Sequence, residues 1–189
     1  MIAGILLAAG QGRRFGGAKL LAPLPGAAPE VTVGSRACAT LASAVPRVVA
    51  VVRPGDAELA AVFKVFGAEP VEFPGFEAGM GASLAFGVAA TPAADGWLVA
   101  LADMPWVRPS TASRVAQALA AGSSLVVPAY RGRRGHPVGF GRAHFAALLA
   151  LDGDRGGRPI VDAAGAAVTQ LDVDDPGILR DVDVAADLD

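Results

Sequence analysis

The chain has 189 residues, 53% hydrophobic and 18% charged, with a formal net charge of −2. That is the length of one domain, 1–189, with enough apolar material for a full core, which excludes a disordered chain. No sustained basic stripe marks a nucleic-acid surface, no apolar run nears the ~20 residues of a membrane helix, and one cysteine, Cys38, excludes an internal disulfide or a Cys-rich metal site.

The chain opens on an apolar run, residues 2–8, short enough for one strand buried on both faces. Its apolar start lacks a basic lead, so no signal peptide is expected and the reduced cytoplasm is the expected setting. The run enters a loop with Gly10, Gly12, Gly16 and Gly17, threaded with Arg13, Arg14 and Lys19. Glycine amides approach an anion without a Cβ in the way, and the cations supply charge, so this is a phosphate-holding loop. A dinucleotide fingerprint fails because Phe15 stands where its third glycine should, and Glu30 follows Pro29 in a proline-rich stretch. A Walker loop fails because Ala18 follows Gly17, and Leu20 follows Lys19.

Further along, residues 31–44 have a helical pattern and 48–52 form a second buried strand. Asp56 is expected to cap a helix running to about 66, with Leu59, Val62, Phe63 and Phe66 on one face. A short strand is expected near 70–73. Gly79 and Gly81 break the chain before a helix over 82–90, placing Ser83 in a first turn where it can hold an anion or sugar oxygen, or act as a plain cap. Residues 97–102 are an all-apolar central strand that runs into Asp103-Met104-Pro105. Ser110 and Thr111 are better caps for the next helix, 110–121, which leaves Asp103 for other work. Strands over 125–130 and 137–140 flank an arginine-rich hairpin tip, Arg131 to His136, and His144 lies in an Ala/Leu helix as an inert residue. The last strands are expected at 168–173 and 178–182, with Asp181 and Asp183 on one side of the second by its period of two.

Strands alternating with ten-residue helices call for a parallel sheet in an α/β layer. Ligands bind at the carboxyl ends of such strands, so the loops after Ala8, Val52 and Ala102 should converge. Charge is uneven along the chain. Residues 1–53 carry six Lys/Arg against Glu30 alone, whereas residues 150–189 carry three Arg against ten Asp. A basic end and an acidic end suit a site where cations meet a polyphosphate and carboxylates hold a metal.

The pattern Leu7-Ala8-Ala9-Gly10-x-x-x-Arg14-x-Gly16-x-x-Lys19 resembles the signature loop of the MobA-like nucleotidyltransferases. Within that family it looks most like the molybdenum cofactor cytidylyltransferases, with Phe15 replacing the usual Met. Gly79, Ser83 and Leu84 match a family segment that lies against the nucleotide. Ala102-Asp103-Met104-Pro105 is similar to the family's Gly-Asp-Met-Pro, and Gly135-His136-Pro137-Val138 to its Gly-His-Pro-Val. Asp154-Arg155-Gly156-Gly157-Arg158 resembles an Asp-x-Gly-x-Arg segment, with Arg158 suited either to phosphate or to an internal ion pair. Asp181-Val182-Asp183 resembles Asp-Ile-Asp, but the Thr and Pro usual after it are absent.

The resemblance implies a single three-layer, Rossmann-like α/β domain with a mostly parallel central sheet and a small antiparallel hairpin. It implies transfer of a nucleotidyl group, CMP from CTP or else GMP from GTP, onto the terminal phosphate of a phosphorylated pterin, with handover to a molybdoenzyme. Ala9, where guanine-selecting members usually carry Gly, leans toward CTP. In that mapping Arg14, Lys19 and Asp103 are catalytic, and Leu7, Ala8, Ala9, Gly10, Gly12, Gly79 and Ser83 join them around the nucleotide. Asp103, with Asp181 or Asp183, holds Mg²⁺, while Arg131, Arg133, Arg134 and His136 border the acceptor. A sugar-phosphate or alcohol-phosphate acceptor, and a non-catalytic cofactor-delivery protein, are the competing readings.

Overall fold

The computed structural model describes residues 1–10, 12 and 14–188. The expectation placed on Arg13 lies outside the described residues. Among the described residues eight strands form one mixed sheet: β1 (Ile2–Leu7), β2 (Arg47–Val52), β3 (Glu69–Glu72), β4 (Gly96–Leu101), β5 (Leu125–Tyr130), β6 (Arg133–Arg134), β7 (Val138–Gly141) and β8 (Thr169–Asp172). The spatial order is β3-β2-β1-β4-β7-β5-β6, with β8 beside β5. The pairs β1–β2, β1–β4, β2–β3 and β5–β8 are parallel, whereas β7 runs antiparallel to both β4 and β5.

The apolar runs are buried on both faces, as strands covered by helices on each side must be. Residues alternate between two cores. Leu6, Val48, Ala50, Val52 and Leu98 face α1 (Val33–Ala42), α2 (Ala57–Val65) and α4 (Pro109–Ala120), where they meet Cys38, Leu41, Phe63 and Val115. Ala3, Ile5, Val49, Val51, Trp97 and Val99 face α3 (Met80–Ala89), α5 (Phe145–Leu149) and α6 (Arg158–Ala164), where they meet Leu84, Val88 and Leu148. The result is the expected three-layer α/β domain. Among the described residues no helix is long and apolar enough to cross a membrane.

The topology places the ligand edge. The chain leaves β1 for β2 through α1 on one face, and reaches β4 from β3 through α3 on the other. The direction of winding therefore reverses between β1 and β4, and the crevice at their carboxyl ends is where such sheets bind ligands. Register keeps the strand ends level: Leu7 pairs with Leu101, the Ala8 N–H donates to the Val51 carbonyl at 3.0 Å, and the Ala102 N–H donates to the Leu7 carbonyl at 3.0 Å.

Three local expectations are corrected. Residues 178–182 are not a strand. Pro176–Leu179 is a 3₁₀ turn, because the Asp175 carboxylate accepts from the Gly177 N–H at 3.0 Å and bends the chain across the sheet ends, away from any strand partner. Asp56 does not cap α2 with its side chain; Arg53 holds its carboxylate through two hydrogen bonds, 2.9 and 3.2 Å. Neither Ser110 nor Thr111 caps α4. The Thr111 hydroxyl is instead engaged by buried Asp175, which accepts from it at 2.6 Å and from the N–H of Arg108, just before the helix, at 2.9 Å. By contrast, α1 has a full capping box, with the Ser35 N–H on Thr32 Oγ1 and the Thr32 N–H on Ser35 Oγ.

Candidate active site

The loops after β1, β2 and β4 do converge. They wall a cleft of about 760 Å³ whose lining includes Leu7, Ala8, Ala9, Gly10, Gly12, Lys19, Gly79, Ser83 and Asp103. Ala8 and Ala9 are buried at its floor, and the chain then emerges as the glycine loop. Lys19 opens a short 3₁₀ turn, Lys19–Leu21, closed by the Ala22 N–H on the Lys19 carbonyl at 3.1 Å. That turn fixes the base of the lysine stem and aims the ammonium at the end of β4.

There Lys19 Nζ donates to Asp103 Oδ2 at 2.8 Å and lies 4.0 Å from Asp183 Oδ1. Arg14 Nη1 donates to Asp183 Oδ2 at 2.8 Å. Two cations of the first loop are thus matched to two carboxylates that sit 80 residues apart in the chain. The Lys19 side chain is 12% exposed and that of Asp103 26%, so their attraction is less screened than that of Arg14, whose side chain is 79% exposed. Asp103 is delivered by the rigid end of the central strand, and its carbonyl accepts from the Val182 N–H at 2.9 Å.

Of the two C-terminal candidates, Asp183 is the one brought to Lys19 and Arg14. Asp181 is exposed and forms no ion pair among the described residues; its charge acts instead on His136. Among the described residues no group of three or more His, Cys, Asp or Glu could hold a metal by itself. Two hard carboxylates facing one ammonium do fit a small divalent cation of the kind that takes one or two carboxylates and completes its shell with phosphate and water.

The acceptor candidates are split. Arg131, Arg133 and Arg134 are exposed on the β5–β6 tip, at the same sheet edge but outside the cleft lining. His136 does not join them. Its ring turns inward and lines a small pocket with Thr40, Leu41, Met104 and Val107, and its buried Nδ1 has no hydrogen-bond partner. Burial pulls its pKa below the ordinary histidine value, against the upward pull of the Asp103 carboxylate, the Val99 carbonyl and Asp181. The side chain therefore points away from where an acceptor would meet the arginines.

Ser83 lines the cleft, yet its hydroxyl donates back to the Gly79 carbonyl at 3.1 Å. Arg158 lies 3.6 Å from Asp162 on the exposed surface and does not line the cleft. His144 lies in a short 3₁₀ turn, with Nε2 3.0 Å from Ser124 Oγ.

Sequence reasoning missed Arg53, Phe76, Glu77, Met80 and Asp154, all of which line the cleft. For Arg53 the signal was present, since the loop after β2 was expected to converge. Asp154 arrives because the loop 152–157 packs directly on α3: the Gly81 N–H donates to the Gly153 carbonyl at 2.7 Å, and a Cβ at Gly79 or Gly81 would strike that loop. Only the paired glycines of 79 and 81 hinted at so close an approach.

The MobA-like NTP transferase domain family matches residues 4–169 of the chain. Purine catabolism protein PucB of Bacillus subtilis (strain 168) is 31% identical over 98% of this chain and 93% of its own length. The structure of Rv0371c from Mycobacterium tuberculosis H37Rv superposes with a TM-score of 0.84 at 30% identity, covering 98% of this chain and 94% of that one. Rv0371c is also known as a complex with manganese, which superposes with a TM-score of 0.74 at 27% identity over 91% of this chain and 88% of that one. A nucleotidyl transferase from Methanothermobacter thermautotroptrophicus superposes with a TM-score of 0.82 at 26% identity, covering 99% and 94%.

Proposed function

Because the chain belongs to the MobA-like NTP transferase family, a family of nucleotidyltransferases, we propose that it transfers CMP from CTP to the terminal phosphate of a molybdopterin-type acceptor. The observation that carries this is the meeting of Lys19 with Asp103 and Asp183 at the mouth of a glycine-lined cleft. Asp103 and Asp183 would hold Mg²⁺, which when bound neutralises charge on the α-phosphate oxygens.

The chain's own groups do the rest. The glycine-loop amides and Lys19 bind the β- and γ-phosphates, and Arg14 closes over them from the exposed side. Carboxylates and phosphates compete for these cations, so engaging the triphosphate draws Lys19 from Asp103 and Arg14 from Asp183. An oxygen of the acceptor phosphate attacks the α-phosphorus in line; the bond to the β-phosphate bridging oxygen breaks, and pyrophosphate leaves with its charge met by Lys19 and Arg14. The nucleophile is ionised at neutral pH, so no general base is required. This agrees with the inward-facing His136 and with His144 being occupied by Ser124. A finished molybdenum-containing product would pass to a molybdoenzyme.

Base choice is assigned to Ala9, whose buried methyl forms part of the cleft floor. A methyl-sized difference is worth ~1–3 kcal/mol, so CTP should be preferred over GTP by roughly 10–200-fold. Exchange of labelled pyrophosphate into each NTP in the presence of molybdopterin, with and without molybdenum, tests the reading, because direct in-line transfer exchanges pyrophosphate only while the acceptor is there to take the nucleotidyl group. Exchange with CTP is expected, and Ala9→Gly should narrow the preference. Equal use of GTP by the native protein would overturn the cytidylyl assignment, and no exchange with any NTP would overturn catalysis altogether.

A further inference from the structure

We propose that Gly135 and His136 are positioning residues: they hold a C-terminal strap, residues 176–183, in the register that sets Asp183 beside Asp103. The inference rests on the reading of Asp103 and Asp183 as metal ligands. It assigns the Gly-His step a role in building the metal site rather than in touching the acceptor.

The strap crosses the ligand edge of the sheet between the arginine hairpin and the glycine loop, and it is pinned at both ends. At one end the His136 N–H donates to the Ile178 carbonyl at 3.1 Å, and a Cβ at Gly135 would overlap that same carbonyl. At the other end the Val182 N–H donates to the Asp103 carbonyl at 2.9 Å. The Val182 side chain is fully buried with Leu24 and Val33, against Phe15 of the glycine loop and Trp106. Only four steps of chain separate the pins, a reach of at most about 14 Å.

In this proposal a displacement at Ile178 reaches Val182 four residues on, and with it Asp183, the residue after the second pin. Gly135 is needed because the two backbones touch there, and the inward His136 ring fills the space behind the end of β4. Arg133 and Arg134 directly precede this step in the same hairpin. On this proposal the tip and the carboxylate pair are joined through the Gly135–Ile178 contact.

The test is Mn²⁺ binding, followed by electron paramagnetic resonance with CTP present and no acceptor. Gly135→Ala should weaken Mn²⁺ binding by ~10-fold or more, the scale on which supporting groups tune metal affinity. Metal-free CTP binding should be unchanged, because neither Gly135 nor His136 lines the cleft. In an Asp183→Asn background the same change should add nothing, because the ligand it positions is gone.

A full and additive loss in that background would overturn the strap while leaving the metal assignment standing. Unchanged Mn²⁺ affinity in Asp183→Asn alone would overturn the metal reading, and this proposal with it. Should Gly135→Ala fail to fold, amide exchange of the native protein decides. The His136 and Val182 amides should gain protection together on addition of Mn²⁺ and CTP, and independent responses would overturn the proposal.

Discussion

Asp103 is held by its neighbours on every side that matters. The strand before it is buried, Met104 after it is buried, its carbonyl takes the Val182 N–H, and its carboxylate takes the Lys19 ammonium. Asp103→Asn keeps that shape and removes only the charge. Turnover should fall by at least ~10²-fold, the scale of losing one electrostatic contact made in the transition state. The melting temperature should move little, since a partly exposed ion pair contributes only ~1 kcal/mol or less. Steady-state kinetics at saturating Mg²⁺, with circular dichroism alongside, measure both; near-normal turnover with an intact fold would remove Asp103 from the chemistry. This residue was legible in the sequence because it directly follows the all-apolar run 97–102, at the carboxyl end of a central strand where such sheets bind ligands. Asp154 was not, because its place depends on a loop whose direction no periodicity records. Asp181 and Asp183 looked equivalent for a related reason: the spacing of two puts them on one side of a strand, and the chain there is not a strand.

At the scale of elements, the arginine hairpin shows both what the pattern held and what it lacked. Its first strand, β5, has the expected bounds, and Arg131-Gly132 forms a two-residue turn with φ of 49° and 76°. Positive φ at both central residues is the type I′ geometry whose twist matches a hairpin. The tip, expected to span Arg131 to His136, is tighter: Arg133–Arg134 already pairs back as β6, and after Gly135-His136-Pro137 the chain continues as β7, which slots between β4 and β5. Pairing between segments 40 residues apart is set by the whole sheet, so no local motif could announce it. At the tip, Arg131 lies over the Tyr130 ring at 5.1 Å and Arg134 reaches Gln170 at 3.4 Å, while none of the three arginines meets a carboxylate among the described residues. Guanidinium groups left in this state suit a phosphorylated acceptor, because the planar fork makes two hydrogen bonds to phosphate oxygens. Replacing Arg131, Arg133 and Arg134 together by Gln should raise the acceptor KM and flatten its dependence on salt, with CTP affinity nearly unchanged. A fall in CTP affinity at constant acceptor KM would place the hairpin at the triphosphate instead.

For the whole molecule, the uneven charge of the sequence becomes a spatial fact: Arg14 and Lys19 of the basic end close on Asp183 of the acidic end, with Asp103 between them. The site therefore depends on the chain being folded from end to end, and Cys38 offers a probe of that state far from the chemistry. Its side chain is fully buried between α1 and α2, with Sγ 3.6 Å from the Phe66 carbonyl, and burial pushes the thiol up from 9.0 to about 12. A thiol so placed is neither ionised nor reachable in the native protein, so a disulfide reagent should react only through opening of the structure. The labelling rate should rise steeply with urea, and a rate independent of urea would show that Cys38 is reached without unfolding. The same shift predicts a dependence on pH. The folded state keeps the Cys38 proton where the unfolded thiol has lost it, so this contribution to stability is whole below pH 9 and declines as pH rises from 9 toward 12. Comparing urea midpoints at pH 8 and pH 10 for the native protein and Cys38→Ala isolates the effect. The native protein should lose more stability over that interval than the alanine variant, and equal losses would mean that the buried thiol does not contribute to the alkaline limit of the fold.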